Sequence, residues 1–161
     1  MSLKDILPIR VSEKEIANLL DNSSWSSGLA WSQLEVLAQY FELYAVELGV
    51  EIISEGAVEP FLGLIISGEM SVIKSDGRGG KKEISKLGKS KAFGEISLID
   101  GHPSSAAVIV SSRGELLAMS QIAFERLCLE NSFVGVMLLK KIARSMSERL
   151  RQTSGRLVDF L

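Results

Sequence analysis

Apolar residues recur along this chain at two spacings, and the spacing changes twice. In "VSEKEIANLL" and "WSQLEVLAQYFELY" they fall three or four residues apart, with Leu34, Leu37, Ala38, Phe41 and Ala45 on one helical face of the second stretch. Each stretch opens with a serine followed three residues later by a glutamate: Ser12 with Glu15, and Ser32 with Glu35. That pairing predicts a capping box, which satisfies the amides left free at a helix start. "DNSSWSSGLA" between them is a polar loop. From Leu48 the pattern shortens to "LGVEIIS", "FLGLIIS", "EMSVIKS", "KKEISKL", "AAVIVSS" and "GELLAMS", divided by Gly68, "LGKSK", "SRG" and similar breakers. Strands this short and evenly spaced predict a sandwich or barrel. In "EMSVIKS", Met70 and Val72 face one way and Ser71 and Ile73 the other. "DGRGG" (76–80) predicts a hairpin tip, with Arg78 solvated.

After Ser120 the helical spacing returns. "QIAFERLCLEN" predicts one helix and the stretch from Ser132 to the C-terminus a longer one. In the long helix Val136, Leu139, Ala143, Met146, Leu150, Thr153 and Leu157 repeat at alternating intervals of three and four, an a/d seam. Leu138, Ile142 and Ser145 form a second stripe. A helix with two apolar stripes needs two partners. The seam is expected to pair with a second copy of the chain and the other stripe with the chain's own sheets. The alternative puts both stripes in one core, and Gly155 weakens the last turn in either case. The expected organisation is a single domain over 1–161: N-terminal helices (1–47), a β-rich body (48–120) and C-terminal helices (121–161).

Composition narrows the classes. The 161 residues are 46% hydrophobic and 24% charged, as in a folded globular chain with a real core. A net charge of −2 offers no electrostatic case for nucleic acid or an anionic membrane. A lone cysteine, Cys128, rules out an internal disulfide and fits a reducing compartment. The N-terminal stretch has no apolar signal core, and nothing approaches a run of about 18 apolar residues. The expectation is a cytoplasmic chain without a membrane span.

The most informative stretch is "FGEISLIDGHPSSAAV" (93–108). A Gly-Glu pair at a strand end exposes a backbone N–H beside a carboxylate acceptor. A helical turn starting at "EISLID" would add a weak anion site, and Ser104, Ser105 and the Ala106 N–H would add donors opposite. Such a cradle suits a ligand with both hydroxyls and an anionic group, such as a sugar phosphate. The same residues are also ordinary turn material.

At these residues the sequence resembles the phosphate-binding cassette of cyclic-nucleotide-binding domains, a pattern of roughly F-G-E-L-A-L, a short gap, then P-R-[SA]-A. "IISEGAVEPFLGLIISGEMSVIK" is similar to the family's strand run, and "ERLRQTS" to the dimer helix of its bacterial catabolite-activator branch. The resemblance implies a mainly β fold with flanking helices (α+β): a double-stranded β-helix, or jelly roll, with N-terminal helices and a long C-terminal dimer helix. It implies cyclic AMP or cyclic GMP as ligand and no other cofactor. Glu95 would accept from the ribose 2′-hydroxyl. The Gly94 and Ala106 amides, with Ser104 and Ser105, would face the cyclic phosphate, and Thr153 and Ser154 would contact the base, partly across a homodimer.

One position departs from the pattern. The family's cassette carries an arginine where this chain has Ser104, so a small donor remains but the charge is gone. Hydrogen bonds to charged groups contribute about 1.5–3 kcal/mol, so affinity would fall roughly ten- to a hundred-fold or more. Lys91 could swing inward to compensate, but it, Lys89 and Arg113 read more simply as solvated loop residues. Lys140, Lys141, Arg144, Arg149, Arg151 and Arg156 likewise read as the solvated face of the last helix.

Other features carry less. His102 is the single histidine and reads as an exposed turn residue; without His or Cys partners no metal site can be assembled. Cys128 reads as a small buried hydrophobe. Trp25 and Trp31 read as cover for a core edge, with a purine lid as the sharper alternative. Glu95 and Asp100 have no nucleophile nearby, and no G-x-S-x-G elbow or Walker loop occurs, so the chain is not expected to be an enzyme. Transcription regulators of the family append a helix-turn-helix domain about where Leu161 ends this sequence. The chain is therefore expected not to read DNA itself but to pass its output through dimer geometry or to an unknown downstream protein. Two readings remain: a dimeric sensor transmitting ligand state through the C-terminal helix, or a degenerate nucleotide fold, with Ser104 in place of the arginine, acting as a protein-interaction scaffold.

Overall fold

The computed structural model describes residues 3–58 and 60–158, with the side chains of Lys4 and of residues 156–158 outside the described set. Helices α1 (Glu13–Asp21) and α2 (Trp31–Ala38) precede strands β1 (Glu42–Val46), β2 (Glu51–Ile53), β3 (Phe61–Ser75), β4 (Lys81–Leu87) and β5 (Ala92–Phe93). A short helix α3 (Glu95–Asp100), the long strand β6 (Ala107–Ser120), and helices α4 (Gln121–Glu130) and α5 (Ser132–Val158) complete the chain. The fold is an antiparallel β-roll with helices packed on one side.

The first capping box forms as expected: Glu15 N donates to Ser12 Oγ at 3.2 Å, and Ser12 N donates to Glu15 Oε2 at 2.7 Å. The second does not. Helix α2 has Ala30 at its N-cap, and Gln33 Oε1 accepts from Ala30 N at 2.7 Å, the part that Glu35 was expected to play for Ser32. Helix α2 also ends at Ala38, and the residues that continued its spacing enter β1, where Leu43 pairs with Leu117 and Ala45 is exposed. The β texture therefore starts at Glu42 rather than Leu48. A ladder to a central strand outweighed a helical spacing met by coincidence.

Two pairs of expected short strands are in fact single long ones. "FLGLIIS" and "EMSVIKS" join as β3, and "AAVIVSS" and "GELLAMS" join as β6. The glycines between them are bends, not ends. Gly68 has φ +83°, and a Cβ there would sit 2.6 Å from the Ser112 carbonyl oxygen; one on Gly114 would overlap the Ser67 carbonyl. The β3–β6 register slips at this crossing, between Ile65 and Ser67 and again between Ser67 and Glu69. The "DGRGG" tip forms as expected, with Asp76 Oδ1 accepting from the Arg78 and Gly80 amides at 2.8 and 2.9 Å.

The start of β3 (61–65) and the end of β6 (116–119) are buried on both faces, which explains their continuous apolar runs. Leu62, Leu64, Leu117 and Met119 face the helices, while Ile65, Met70, Val110 and Leu116 fill the roll. Helix α5 closes the helical layer through Val134, Leu138 and Ile142, all buried. Of the other stripe, Val136, Leu139 and Leu150 stay on the surface, 49%, 39% and 68% exposed. Met146 of that stripe packs against the core that holds Leu138 and Ile142, so the two stripes are separated only in part. The Leu157 and Arg156 side chains lie outside the described residues.

The Gly114 contact gives a direct test of the bend. Gly114→Ala is expected to destabilise the fold by about 1–3 kcal/mol, as overpacking against backbone does. Urea unfolding measures it, and an unchanged midpoint would contradict the close approach.

Candidate functional site

Strand β5 ends at Phe93, and the chain turns into α3 through Gly94, which has φ +80°. A Cβ at Gly94 would collide with the Phe61 carbonyl, so both conformation and space require glycine. The turn places Glu95 at the first helical position with its side chain inside, 2% exposed. Across from it, the loop before β6 is pinned from outside: Ser104 N donates to Ala57 O at 2.9 Å, and Gly56 N to Ser104 O at 2.8 Å. That anchoring turns Ser105 and Ala106 toward Glu95.

Between the two lies a cleft of about 350 Å³, within the range of small-molecule sites. Gly94, Glu95, Ser104, Ser105, Ala106 and Thr153 all line it, as do the apolar side chains of Ile53, Val72 and Val108. Ser154 does not: it is exposed on α5, one position past the seam residue Thr153. Trp25 and Trp31 are not among the lining residues, so neither is a lid on this cleft.

Sequence reasoning missed the residue that closes the cleft. Arg149, read as part of a solvated face, reaches from α5 into the cradle. Its Nη1 lies 2.5 Å from Glu95 Oε1, and its Nη2 donates to Ala92 O at 2.6 Å. The Glu95 contact is a close charge pair without in-line hydrogen-bond geometry, and neither carboxylate oxygen accepts a hydrogen bond from the described residues. A buried carboxylate with one oxygen, Oε2, left without a partner is an unusual arrangement in a folded interior. The signal available in the sequence was spacing. Arg149 precedes Thr153 by one helical turn, and Thr153 Oγ1 donates back to the Arg149 carbonyl at 2.8 Å.

The remaining cations go elsewhere. Lys91 lines a second cleft of about 830 Å³ between the 24–29 loop and α5, not the cradle, so it does not swing in to replace the arginine. Lys141 is not simply solvated: its Nζ donates to Ser27 O at 3.2 Å and stands 5.4 Å from the centre of the Trp25 ring. Burial, with Arg144 second, lowers the pKa of its ammonium group. His102 is exposed, its Nδ1 3.0 Å from Asp100 O. Cys128 is half-buried, and burial raises the pKa of its thiol, with Glu125 second. Among the described residues no His, Cys, Asp or Glu cluster is arranged to hold a metal ion, and no helix is long and apolar enough to cross a membrane.

This geometry can be set beside known proteins. The family model of the cyclic nucleotide-binding domain matches residues 45–131, more than half of the chain. The "Cyclic AMP receptor protein" of Thermus thermophilus is 27% identical over 121 residues, covering 75% of this chain and 56% of the relative. A "cAMP-dependent protein kinase regulatory subunit" of Mucor circinelloides is 30% identical over 91 residues, covering 56% of this chain and 21% of the relative. The chain thus spans little more than half of the first relative's length and about a fifth of the second's. A solved cyclic nucleotide-binding domain from Methylobacillus flagellatus superposes with a TM-score of 0.84 at 25% identity, covering 98% of this chain and 90% of that one. Cassette, roll and matched span agree: the chain belongs to the cyclic nucleotide-binding domain family.

Proposed function

We propose that this chain is a regulatory module that binds a cyclic nucleotide, cyclic AMP or cyclic GMP, and works as a homodimer. The observation that carries the reading is Glu95, buried in the cleft with Oε1 against Arg149 and Oε2 without a hydrogen-bond partner among the described residues. A ribose 2′-hydroxyl is a donor that would satisfy Oε2. The Gly94 and Ala106 amides and the Ser105 hydroxyl would then meet the cyclic phosphate, and Thr153 the base.

Ligand state would reach α5 through Arg149, because the helix touches the cradle at the very carboxylate the sugar would engage. A ligand shifts an equilibrium only through different affinities for two states. The Glu95–Arg149 contact is where such a difference would arise. The exposed Val136, Leu139 and Leu150 stripe supports pairing with a second copy, and Ser154, flanking that stripe, would then lie toward the partner's site. The output would pass to a downstream protein, with no direct DNA contact by these residues. Ser104 favours a second reading, in which the roll persists as an interaction scaffold without nucleotide.

Calorimetric titration with cyclic AMP and cyclic GMP separates the two. Micromolar binding by the wild type, abolished in Glu95→Ala, is expected. A silent wild type with a binding Ser104→Arg variant would favour the scaffold, and silence from both would remove the nucleotide reading altogether. Two further outcomes follow from α5. Arg149→Met leaves the Glu95 carboxylate buried and uncompensated, at a cost of about 1–3 kcal/mol. Arg149 is itself partly exposed, which puts the loss toward the lower figure. Because the cost comes from the charge, it should shrink in a Glu95→Gln background, as a double-mutant cycle by urea unfolding would read. Leu139→Glu with Leu150→Glu should lower the mass seen by sedimentation from dimer to monomer. An unchanged mass would contradict pairing through this stripe.

A further inference from the structure

The second cleft, beside α5, concentrates positive charge in a chain that is acidic overall. Lys86 and Lys91 come from the roll, and Lys140, Lys141, Arg144 and Arg149 from α5, against one carboxylate, Glu148. The chain as a whole carries a net charge of −2, so the imbalance is local. Arg149 is engaged by Glu95, but among the described residues none of the other five cations forms an ion pair.

Lys141 holds the cleft together. Its Nζ donates to Ser27 O at 3.2 Å and stands 5.4 Å from the centre of the Trp25 ring, fastening the 24–29 loop to the helix. Burial first, and the Arg144 charge second, lower the Lys141 pKa, as expected where cations crowd together. Lys86, Lys91, Lys140 and Arg144 are exposed. Near the start of α5, Phe133 lines the same cleft and is 70% exposed.

Length selects among anions. The lining residues on α5 run from Phe133 to Gln152, about 28 Å at a rise of 1.5 Å per residue. A single phosphate or a mononucleotide would cover a fraction of that track, whereas an extended peptide of about eight residues spans it. Single-stranded nucleic acid would need open aromatic faces for successive bases, and Lys141 stands over the Trp25 ring. Val136, Leu139 and Leu150 are not among the lining residues, so pairing through that stripe does not use this surface.

We infer that this cleft is a docking groove for an acidic peptide segment of a partner protein. Its carboxylates would meet the Lys86, Lys91, Lys140 and Arg144 charges, and an apolar side chain would rest on Phe133. Arg149 lines both this groove and the cradle, so the two sites share a wall. The inference stands whether or not the cradle takes a nucleotide.

Fluorescence anisotropy on the full chain tests it, with a labelled peptide of about eight residues, alternating glutamate and aspartate and ending in leucine. At physiological ionic strength, where the Debye length is about 8 Å, the wild type should bind saturably. Lys140→Glu with Arg144→Glu should weaken binding about tenfold or more. Lys81→Glu with Lys82→Glu makes the same charge change on exposed residues of β4 outside the cleft and should leave affinity within about twofold. In the 15N-labelled wild type, the peptide should shift the Trp25 indole N–H and the Lys86, Lys91 and Arg144 amides. No saturable binding would overturn the inference. So would an equal loss in both double variants, which would show diffuse attraction, or shifts confined to other surfaces. An oligothymidylate of equal charge that binds as tightly as the peptide, and is lost in the Lys140→Glu, Arg144→Glu variant, would replace the peptide with nucleic acid and overturn it as well.

Discussion

The site in this protein is organised by one buried carboxylate and the arginine that meets it. Glu95 is taken out of water by the turn at Gly94, and among the described residues only Arg149 compensates its charge. A buried charge left alone is strongly unfavourable, so the position of α5 and the geometry of the cradle are tied together. The same guanidinium donates to Ala92 O, at the end of the strand that leads into the cradle. Moving the helix therefore disturbs β5 and Glu95 at once. This is a compact physical basis for coupling between an interior site and a surface helix.

The roll makes that arrangement possible by holding its two halves on independent supports. Glu95 depends on the β5–α3 turn, where Gly94 passes against the Phe61 carbonyl. Ser105 and Ala106 depend on the turn at Gly56 and Ala57, which grips Ser104 through two backbone hydrogen bonds. The floor between them comes from Val72 and Val108, paired across the two long strands. Donors, acceptor and apolar surface thus converge from four separate segments. The packing of α5 on the domain uses Leu138 and Ile142, which leaves the Val136, Leu139 and Leu150 stripe for another surface.

Much of this was legible in the residues, and the failures share a cause. Helix α1 and the hairpin tip at 76–80 were readable because their signals are local: a serine bonding an amide three residues on, and glycines supplying positive φ. The cradle residues 94–95 and 104–106 were found for the same reason. What was missed depends on contacts distant in sequence. Phe41 and Ala45 continue a helical spacing, yet pairing of β1 with β6 makes their segment a strand edge. Gly68 and Gly114 looked like strand ends until their mutual crossing showed them to be bends. Arg149 looked like a solvated cation because a charge in a sequence carries no address. Its partner, Glu95, stands 54 positions away along the chain.

The central claim is that the cleft between Glu95 and the 104–106 loop takes a cyclic nucleotide and reports it to α5. A titration of the 15N-labelled protein with cyclic AMP, followed by NMR, tests it most directly. The account predicts saturable shifts of the Gly94, Glu95, Ser105 and Ala106 amides, accompanied at the same ligand concentrations by the Arg149 side-chain Nε–H. Shifts absent from these groups, or cradle shifts that leave Arg149 unmoved, would contradict it.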